Sequence, residues 1–377
     1  MIAAVSGGVD SAVAAARTVE AGHDVTAIHL TLSNSPLANR AGSRGCSSPE
    51  AAADARRVAD LLGIPFSVWD FSPEFADLVV TDFIAEYRAG RTPNPCSRCN
   101  ERIKFAALVD RALAAGFDGV VTGHYARRIA RSTGDGVVYE LHRAADQAKD
   151  QSYVLGVLTQ ARLAHAYFPL GGSRKTDVRR EAAARGLRVA SKPDSYDICF
   201  IPDGDTAGWL REKIGEAPGE IVDEDGTALG AHRGTYAYTI GQRKGLRLGR
   251  PAADGRPRYV VGLDPAARRV VVGPREHLRV DALTGIRPSW CEEEPAGEFA
   301  ATVQVRAHGE EYPCTVRLVP GGEVGGGGPG IEIALEAPIY GVAPGQTAVL
   351  YDGTRVIGSA TIATTKGVVD TGGDPCA

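Results

Sequence analysis

The sequence predicts an α/β protein: an N-terminal doubly wound parallel sheet, then a small β-rich linker domain, then a C-terminal β-barrel. Three observations carry this reading. Over roughly the first 200 residues, short apolar runs alternate with Ala-rich helical stretches, the pattern of a wound parallel sheet. From about Ala207 the Ala-rich helices give way to Gly, Pro and short β-like runs. Near the end, strand-like residues flank Asp352-Gly353, a strong hairpin turn signal. The boundaries expected are 1–206, 207–274 and 275–366, with 367–377 a loose tail.

The first strand is Ile2-Ala3-Ala4-Val5, which breaks into Ser6-Gly7-Gly8-Val9-Asp10-Ser11 and then into Ala-rich helix. A second strand is expected over 25–30, followed by a polar surface loop over 33–47. The next helix is well punctuated: Ser48 caps it, Pro49 suits its first turn, apolar residues recur to Leu62 and Gly63 ends it. Residues 64–69 read as strand, 74–90 and 100–115 as helices, and 119–122 as a strand running into Gly123-His124-Tyr125. A further helix is expected near Ser152. In the central domain, strands are expected at 221–222, 237–240, 259–263 and 270–272. The last domain should hold strands at 299–305, 313–319, 331–335 and 348–362, with a Gly-rich loop at 321–330.

Composition narrows the class. The chain has 377 residues, 44% hydrophobic, enough for two or three ordinary cores. A formal charge of -4 argues against wholesale coating of nucleic acid, although a local basic patch can still bind it. No apolar run is long enough to span a bilayer and no basic-then-apolar leader is seen, so a cytoplasmic location without a membrane partner is expected. Seven cysteines, an odd number without regular spacing, suit reduced thiols better than a disulfide framework.

The chemistry starts at the glycine loop. A strand that turns on two glycines into a helix presents unpaired N–H groups to an anion. Ser6 and Ser11 add hydroxyl donors, while Asp10 repels a bare phosphate and makes sense with a divalent cation between them. No Lys follows the glycines, so this is not the Gly-Lys-Ser/Thr loop of common nucleotide hydrolases. The plainer alternative is a strand-turn-helix built of small residues. Two cysteine stretches interrupt the regular pattern. In Thr92-Pro93-Asn94-Pro95-Cys96-Ser97-Arg98-Cys99-Asn100, Asn100 is read as the cap of the following helix. Cys99 is then expected at a helix N-terminus near Arg98, Arg102 and Lys104, a setting that favours thiolate. Lys192-Pro193-Asp194-Ser195-Tyr196-Asp197-Ile198-Cys199-Phe200 does not by itself mark Cys199 as reactive. Lys149-Asp150-Gln151 suits phosphate and base contacts or an ordinary helix start, and Gly241-Gln242-Arg243-Lys244-Gly245-Leu246 suits a phosphate-facing turn or a solvated hairpin.

These stretches carry a resemblance. Ser6 to Ser11 resembles the pyrophosphate (PP) loop of the ATP pyrophosphatase superfamily, whose members split ATP between the α and β phosphates. The ordered set of Ser6–Ser11, Arg91-Thr-Pro-Asn-Pro95, Cys99-Asn-Glu-Arg-Ile-Lys-Phe105, Thr122-Gly-His-Tyr125, Lys149-Asp-Gln-Ser-Tyr153, Asp194-Ser195 with Ile198-Cys-Phe200, and Gly241–Leu246 resembles the tRNA-specific 2-thiouridylases over nearly the whole chain. The resemblance implies a sulfurtransferase that adenylates O2 of wobble uridine 34 and replaces that oxygen with sulfur.

It implies ATP, with Mg2+ at Asp10, on Ala4, Val5, Ser6, Gly7, Gly8, Val9, Asp10 and Ser11, with Leu30 and Gly123 close to adenosine. Cys199 would carry a persulfide and Cys99 would be the partner nucleophile, leaving a Cys99 to Cys199 disulfide. For tRNA it implies contacts by Asn94, Pro95 and Cys96, by Lys149, Asp150 and Gln151, by Gln242, Arg243 and Lys244, and by Arg306 in the last domain. The tRNAs would be the lysine, glutamate and glutamine acceptors, the sulfur source a cysteine desulfurase or relay protein, and the enzyme a monomer. The chain departs from the pattern at Cys96, where many members carry an Asp linked to proton transfer. Cys96, Cys99 and Cys199 are also the three ligands that a sulfur-carrying [4Fe-4S] cluster would need, and a zinc site is a further reading of Cys96-x-x-Cys99. Cys46, Cys291, Cys314 and Cys376 receive no role. Other adenylating enzymes, such as a tRNA cytidine-activating ligase or a deazapurine synthase, would not need the cysteine pair, and a metal-stabilised RNA-binding module would ignore ATP.

Overall fold

A computed structural model describes residues 1–33, 48–134, 136–193, 198–201, 203–249, 254–320 and 328–367. Most of the polar loop over 33–47, Asp194 to Asp197, Arg250, residues 321–327 and the tail from 368 lie outside the described residues, as do Cys46 and Cys376.

The N-terminal strands are β1 (Ile2–Ala4), β2 (Thr26–Thr31), β3 (Phe66–Asp70), β4 (Val120–Val121), β5 (Arg127–Thr133), β6 (Gly136–His142) and β7 (Ala166–Tyr167). Five of them form a parallel sheet in the order β3-β2-β1-β4-β7. β1 lies at its centre, so the chain winds outward one way through β2 and β3 and then the other way through β4 and β7. The helix Val9–Glu20 buries Val9, Ala12, Val13, Ala15 and Ala16, a small-residue face that lets it lie close to the sheet. Pro49–Leu62 begins and ends as its sequence requires: the Ser48 side chain accepts from the Ala51 N–H, and Gly63 closes the helix at φ 66°.

One helix starts earlier than its sequence suggested. The stretch read over 100–115 begins as Pro95–Cys99, continues as a π-helical segment Asn100–Ala107, and ends as Leu108–Ala114. Asn94 is the cap, its Oδ1 accepting from Cys96 N at 3.1 Å and Ser97 N at 3.2 Å, with Pro95 in the first turn where its missing N–H costs nothing. Asn100 is buried instead, and its Nδ2 donates to Val154 O at 3.0 Å. The helix expected over 74–90 runs as Ser72–Phe75, a π-helical Ala76–Thr81 and Asp82–Arg88.

The central sheet has the order β10-β11-β8-β9, from β8 (Gly219–Val222), β9 (Ala228–His232), β10 (Tyr259–Asp264) and β11 (Arg269–Gly273). Residues 237–240 do not form the expected strand: Thr235–Ala237 is a 3-10 turn, while Tyr238 and Ile240 pack on the small core of Ile221, Val260, Val270 and Val272. The helix Thr206–Ile214, capped by Asp205, was not legible under the change of composition.

The last domain is a closed antiparallel barrel of β12 (Arg279–Trp290), β13 (Phe299–Gln304), β14 (Glu311–Val319), β15 (Gly330–Tyr340), β16 (Thr347–Asp352) and β17 (Arg355–Lys366). The order is β12-β15-β14-β13-β16-β17, and pairing of β17 with β12 removes both edges. The β5–β6 hairpin of the first domain joins this sheet where Arg355 of β17 pairs with His142.

Arg143, just past β6, ties the two domains. Its guanidinium donates to Asp150 Oδ2 at 2.9 Å and Gln304 Oε1 at 2.8 Å, meets Glu311 Oε1 at 2.8 Å and lies 3.7 Å from the Tyr351 ring centroid. The Asp150 carboxylate also accepts from Ala144 N and Ser152 Oγ. Removing one partner of a buried pair strands the other charge, so Arg143→Ala is expected to cost about 3 kcal/mol in urea unfolding, and Arg143→Lys less.

Candidate active site

In a doubly wound sheet the strand order reverses at one crevice, where neighbouring strands send their connections to opposite sides and leave a gap beyond their carboxyl ends. Here that point lies between β1 and β4. An open pocket of about 730 Å³ occupies it, lined by Ala4, Val5, Ser6, Asp10, Ser11, Leu30, Leu32, Lys104, Thr122, Gly123, His124 and Gln151. Seven residues expected at a nucleotide are therefore together on one wall: Ala4, Val5, Ser6, Asp10, Ser11, Leu30 and Gly123.

Gly7, Gly8 and Val9 shape the loop from behind. Gly7 has φ 73°, and a Cβ there would lie 2.3 Å from the Ala51 carbonyl oxygen. Gly8 begins the helix without a side-chain cap, and Val9 is buried. The hydroxyls are pre-arranged: Ser6 N donates to Ser11 Oγ at 3.1 Å, Ser11 Oγ donates to Gly8 O at 3.1 Å, and the two Oγ atoms are 3.1 Å apart. Gly123 is required by its neighbours, since a Cβ would sit 2.6 Å from Ser11 N and 2.7 Å from Asp10 C.

The sequence reading missed Lys175. Its Nζ donates to both Asp10 oxygens, at 2.8 and 2.6 Å, and Tyr125 OH donates to Asp10 Oδ1 at 2.8 Å. Lys175 itself is buried at the start of the helix Lys175–Ala184. Asp10 therefore faces the pocket with its charge already balanced by an ammonium, rather than waiting on a divalent cation alone. Nothing local signals this pairing, because 165 residues separate the partners. Lys104 also lines the pocket, and Lys192 Nζ donates to Gly7 O at 2.9 Å and Asp54 Oδ2 at 2.8 Å, binding the segment before Cys199 to the glycine loop.

Two histidines near the loop are neutral for the same reason. Burial holds the His124 imidazole well below its ordinary range, with Lys104 adding repulsion; its Nδ1 lies 2.8 Å from Thr122 Oγ1 and its ring packs near Phe105 and Phe168. Burial also lowers His29, whose Nδ1–H donates to Val5 O at 2.9 Å.

Cys99 is not at a helix N-terminus. It is the fifth residue of Pro95–Cys99, 6% exposed, and packs in the core cluster of Ile2, Phe75, Ile103 and Tyr153. The positive setting expected around it is largely offset, because Arg98 pairs with Asp82 at 3.2 Å and Glu101 at 2.7 Å, and Arg102 pairs with Glu101 at 3.3 Å. Cys199, half-buried, packs on the same cluster, held there by Phe200, whose ring meets Phe75, Phe83 and Trp209 at 5.7, 5.3 and 5.3 Å. Leu32 belongs to this cluster and Ala4 and Leu30 pack on it, so the same core backs part of the pocket lining and carries the two thiols. Cys96 is half-buried one helical turn before Cys99. Among the described residues no group of three His, Cys, Asp or Glu side chains is gathered to hold a metal ion, so Cys96, Cys99 and Cys199 do not converge as a cluster would need. Cys291 and Cys314 lie in cores where burial pushes each thiol up to about 12, which leaves them inert.

The residues expected at tRNA fall in two groups. Asn94, Pro95 and Cys96 start the cysteine helix, and their loop is clamped to the barrel by Thr92 N donating to Pro344 O and Gln346 Nε2 donating to Thr92 O, both at 2.7 Å. Gln151 reaches the pocket rim, where its Oε1 accepts from Tyr125 N, Asp150 is held by Arg143, and Lys149 precedes them in a 3-10 turn. At the other end, Arg243 and Lys244 are exposed on a turn stiffened by Gln242, whose side chain accepts from Thr239 N and donates to Lys244 O. That turn meets the barrel where Gly241 packs on Gly341, and Arg306 donates to the Gly341 carbonyl, so Arg306 lies beside the start of the turn that carries Gln242, Arg243 and Lys244 although two domains supply them.

Two outcomes follow from this geometry. Gly123→Ala should push the backbone of Asp10 and Ser11 and weaken ATP binding at least about tenfold by calorimetric titration, since packed backbone cannot yield. Below pH 6.5 the unfolded chain takes up protons that buried His124 and His29 refuse, so the stability present above that pH is lost as the pH falls toward their lower folded values. His124→Gln should flatten this decline, by at most roughly 1.4 kcal/mol per pH unit, in urea unfolding at pH 7.5 and 5.5.

Comparison with known proteins agrees over the full length. Residues 1–203 match the family model described as tRNA methyl transferase HUP domain, 207–274 the tRNA methyl transferase PRC-barrel domain, and 280–362 the aminomethyltransferase beta-barrel domain. The chain is 62% identical to the tRNA-specific 2-thiouridylase of a Nocardioides species, covering 98% of this chain and 99% of that one. It is 60% identical to the protein of that name from Acidothermus cellulolyticus, covering 97% and 98%, and 59% identical to that from Streptomyces coelicolor, covering 97% and 95%. With a parallel-sheet domain, a central β domain, a closed barrel and this degree of identity end to end, the chain belongs to the tRNA-specific 2-thiouridylase family.

Proposed function

We propose that this protein is a tRNA-uridine 2-sulfurtransferase, which uses ATP to adenylate O2 of wobble uridine 34 and passes sulfur from a persulfide on Cys199 to C2, giving 2-thiouridine, AMP and pyrophosphate. The observation that supports the reading is that Cys99 and Cys199 both pack on the core cluster that includes Ala4, Leu30 and Leu32 of the pocket lining. Two thiols on the core beside a nucleotide pocket suit sulfur transfer to an adenylated base, which a simple nucleotide hydrolase would not need.

The loop N–H groups and the Ser6 and Ser11 hydroxyls hold the phosphates. Lys175 supplies the positive charge that lets a phosphate approach Asp10. Mg2+ arriving with the nucleotide would find one hard ligand in Asp10, with phosphates and water completing its shell, and would shield the phosphate charge. Leu30 and Gly123 border the adenosine. Uridine O2 attacks the α phosphate, so that a poor leaving group becomes AMP. The terminal sulfur of the Cys199 persulfide then attacks C2 and AMP departs; the Cys99 thiolate attacks Cys199 Sγ, releasing 2-thiouridine and leaving a Cys99 to Cys199 disulfide. The [4Fe-4S] alternative finds no converging ligand set, and no step runs through it.

The tRNA would run from the pocket rim, at Gln151, Lys149, Asp150, Asn94, Pro95 and Cys96, to the basic turn of Gln242, Arg243 and Lys244 beside Arg306. Residues 1–206 would then be the catalytic unit, 207–274 a spacer and 275–366 the tRNA clamp. Lysine, glutamate and glutamine tRNAs are the substrates in this reading, a cysteine desulfurase or relay protein supplies the sulfur, and the enzyme works as a cytoplasmic monomer. Among the described residues no helix is long and apolar enough to cross a membrane.

Nucleoside analysis of tRNA incubated with protein, Mg-ATP and a sulfur source tests the proposal. A 2-thiouridine peak is expected from the wild type, falling at least about a hundredfold in Cys99→Ser and in Cys199→Ser. AMP release without any thiolated nucleoside would point to another adenylating enzyme.

A further inference from the structure

The persulfide route uses half of the Cys96-x-x-Cys99 pattern and gives the Cys96 thiol no part in sulfur transfer. Its placement supplies one. Cys96 and Cys99 stand at i and i+3 of one helix, so they share a face. Helix geometry puts their Cα atoms about 5 Å apart, inside the range a disulfide spans. Their Cβ atoms are about 5–6 Å apart and must close by about 1–2 Å for a bond. The change to π-helical hydrogen bonding from Asn100 gives the helix a place to absorb that shift, while the Asn94 cap holds the first turn.

Burial separates Cys99 from the other two thiols: Cys99 is enclosed in the apolar cluster, while Cys96 and Cys199 are both half-buried, Cys199 packing on that cluster. A disulfide between Cys99 and Cys199 would join a buried sulfur to one packed on the cluster, which narrows the line along which a protein reductant can bring its own thiolate to the sulfur it attacks.

We infer that Cys96 is the resolving thiol of this enzyme, moving the oxidation left by each turnover from a Cys99–Cys199 disulfide packed on the apolar cluster to a Cys96–Cys99 disulfide within one helix. The inference rests on the persulfide reading of Cys99 and Cys199. In the step, the Cys96 thiolate, having given its proton to solvent, attacks Cys99 Sγ. The Cys96–Cys99 bond forms, the Cys99–Cys199 bond breaks, and Cys199 leaves as a thiolate that solvent can protonate. One disulfide exists before and one after, so no oxidant is consumed. An external dithiol then supplies two electrons and two protons to the Cys96–Cys99 pair. Meanwhile Cys199 is again a thiol, ready for the next sulfur. Exchange needs three sulfurs in a line with Cys99 in the middle, a demand different from the convergence on one centre that a metal cluster makes.

The test is a single turnover of the full chain, loaded with persulfide by a cysteine desulfurase and mixed with tRNA and Mg-ATP without reductant. After acid quench and alkylation, disulfides are mapped by mass spectrometry. The wild type should end with Cys96 joined to Cys99 and Cys199 alkylated. In Cys96→Ser the oxidation should remain as Cys99–Cys199, and multiple-turnover yield with a protein dithiol reductant should fall at least tenfold. Small thiols in excess should restore part of it. Wild-type protein that ends with Cys99 joined to Cys199 and Cys96 alkylated overturns the relay alone, and this mapping decides even if Cys96→Ser fails in the first turnover. Continued cycling by Cys99→Ser overturns the persulfide reading and the relay together.

Discussion

One acidic side chain sets the terms for the rest of the molecule. Asp10 stands at the start of the first long helix, facing the crevice of the sheet, and a carboxylate there has to be compensated. Lys175 and Tyr125 do so, and through them the glycine loop is joined to the exit of β4 and to the helix Lys175–Ala184. The chain leaving that helix returns to the loop when Lys192 binds Gly7 O and Asp54, and a few residues later it reaches Cys199. The glycine loop and the chain that leads to Cys199 are thus connected by a short path of charged contacts.

The barrel is a structural partner of that pocket. Strand β16 packs on the cysteine helix, where Tyr153 OH donates to Thr347 O at 2.8 Å and Thr347 Oγ1 lies 3.4 Å from Ser97 Oγ. Gly345 lies so close to Arg91 and Thr92 that a side chain would collide with the Thr92 backbone and the Arg91 Cβ. Because the β5–β6 hairpin extends the barrel sheet, the first and last domains share a continuous hydrogen-bonded surface. A load on the barrel is therefore passed to the helix that carries Cys96 and Cys99.

Local rules were followed closely where a residue's role is satisfied by its neighbours. The Ser48 cap, the Pro49 start and the Gly63 stop stand as read, as does the Asp352-Gly353 turn between β16 and β17. Asn100 shows the limit of such rules. The sequence reads as capping this helix at Asn100, whereas the cap is Asn94, six residues earlier, because Pro95 after it suits a first helical turn, while the buried Asn100 side chain donates to Val154 O. That choice moved Cys99 from an exposed helix start into a core, and left Cys96 as the thiol nearer solvent. Strand β12 went unread because Gly285 and Pro288 interrupt its alternation, and closure of the barrel through β17 is what makes it a strand.

The sequence by itself determined the α/β class, the barrel and the family, and singled out Ser6 to Ser11, Cys99 and Cys199 as candidate site residues, because these rest on residues close together in the chain or on motifs whose chemistry is local. Tertiary structure alone decided that Lys175 balances Asp10, that Arg306 reaches Gly341 beside Gly241, and that Cys99 and Cys199 pack on the core that backs part of the pocket lining. Each of these joins residues tens to hundreds of positions apart. Compensation of a charge and burial of an apolar surface select partners by distance in space, and no periodicity along the chain records that distance.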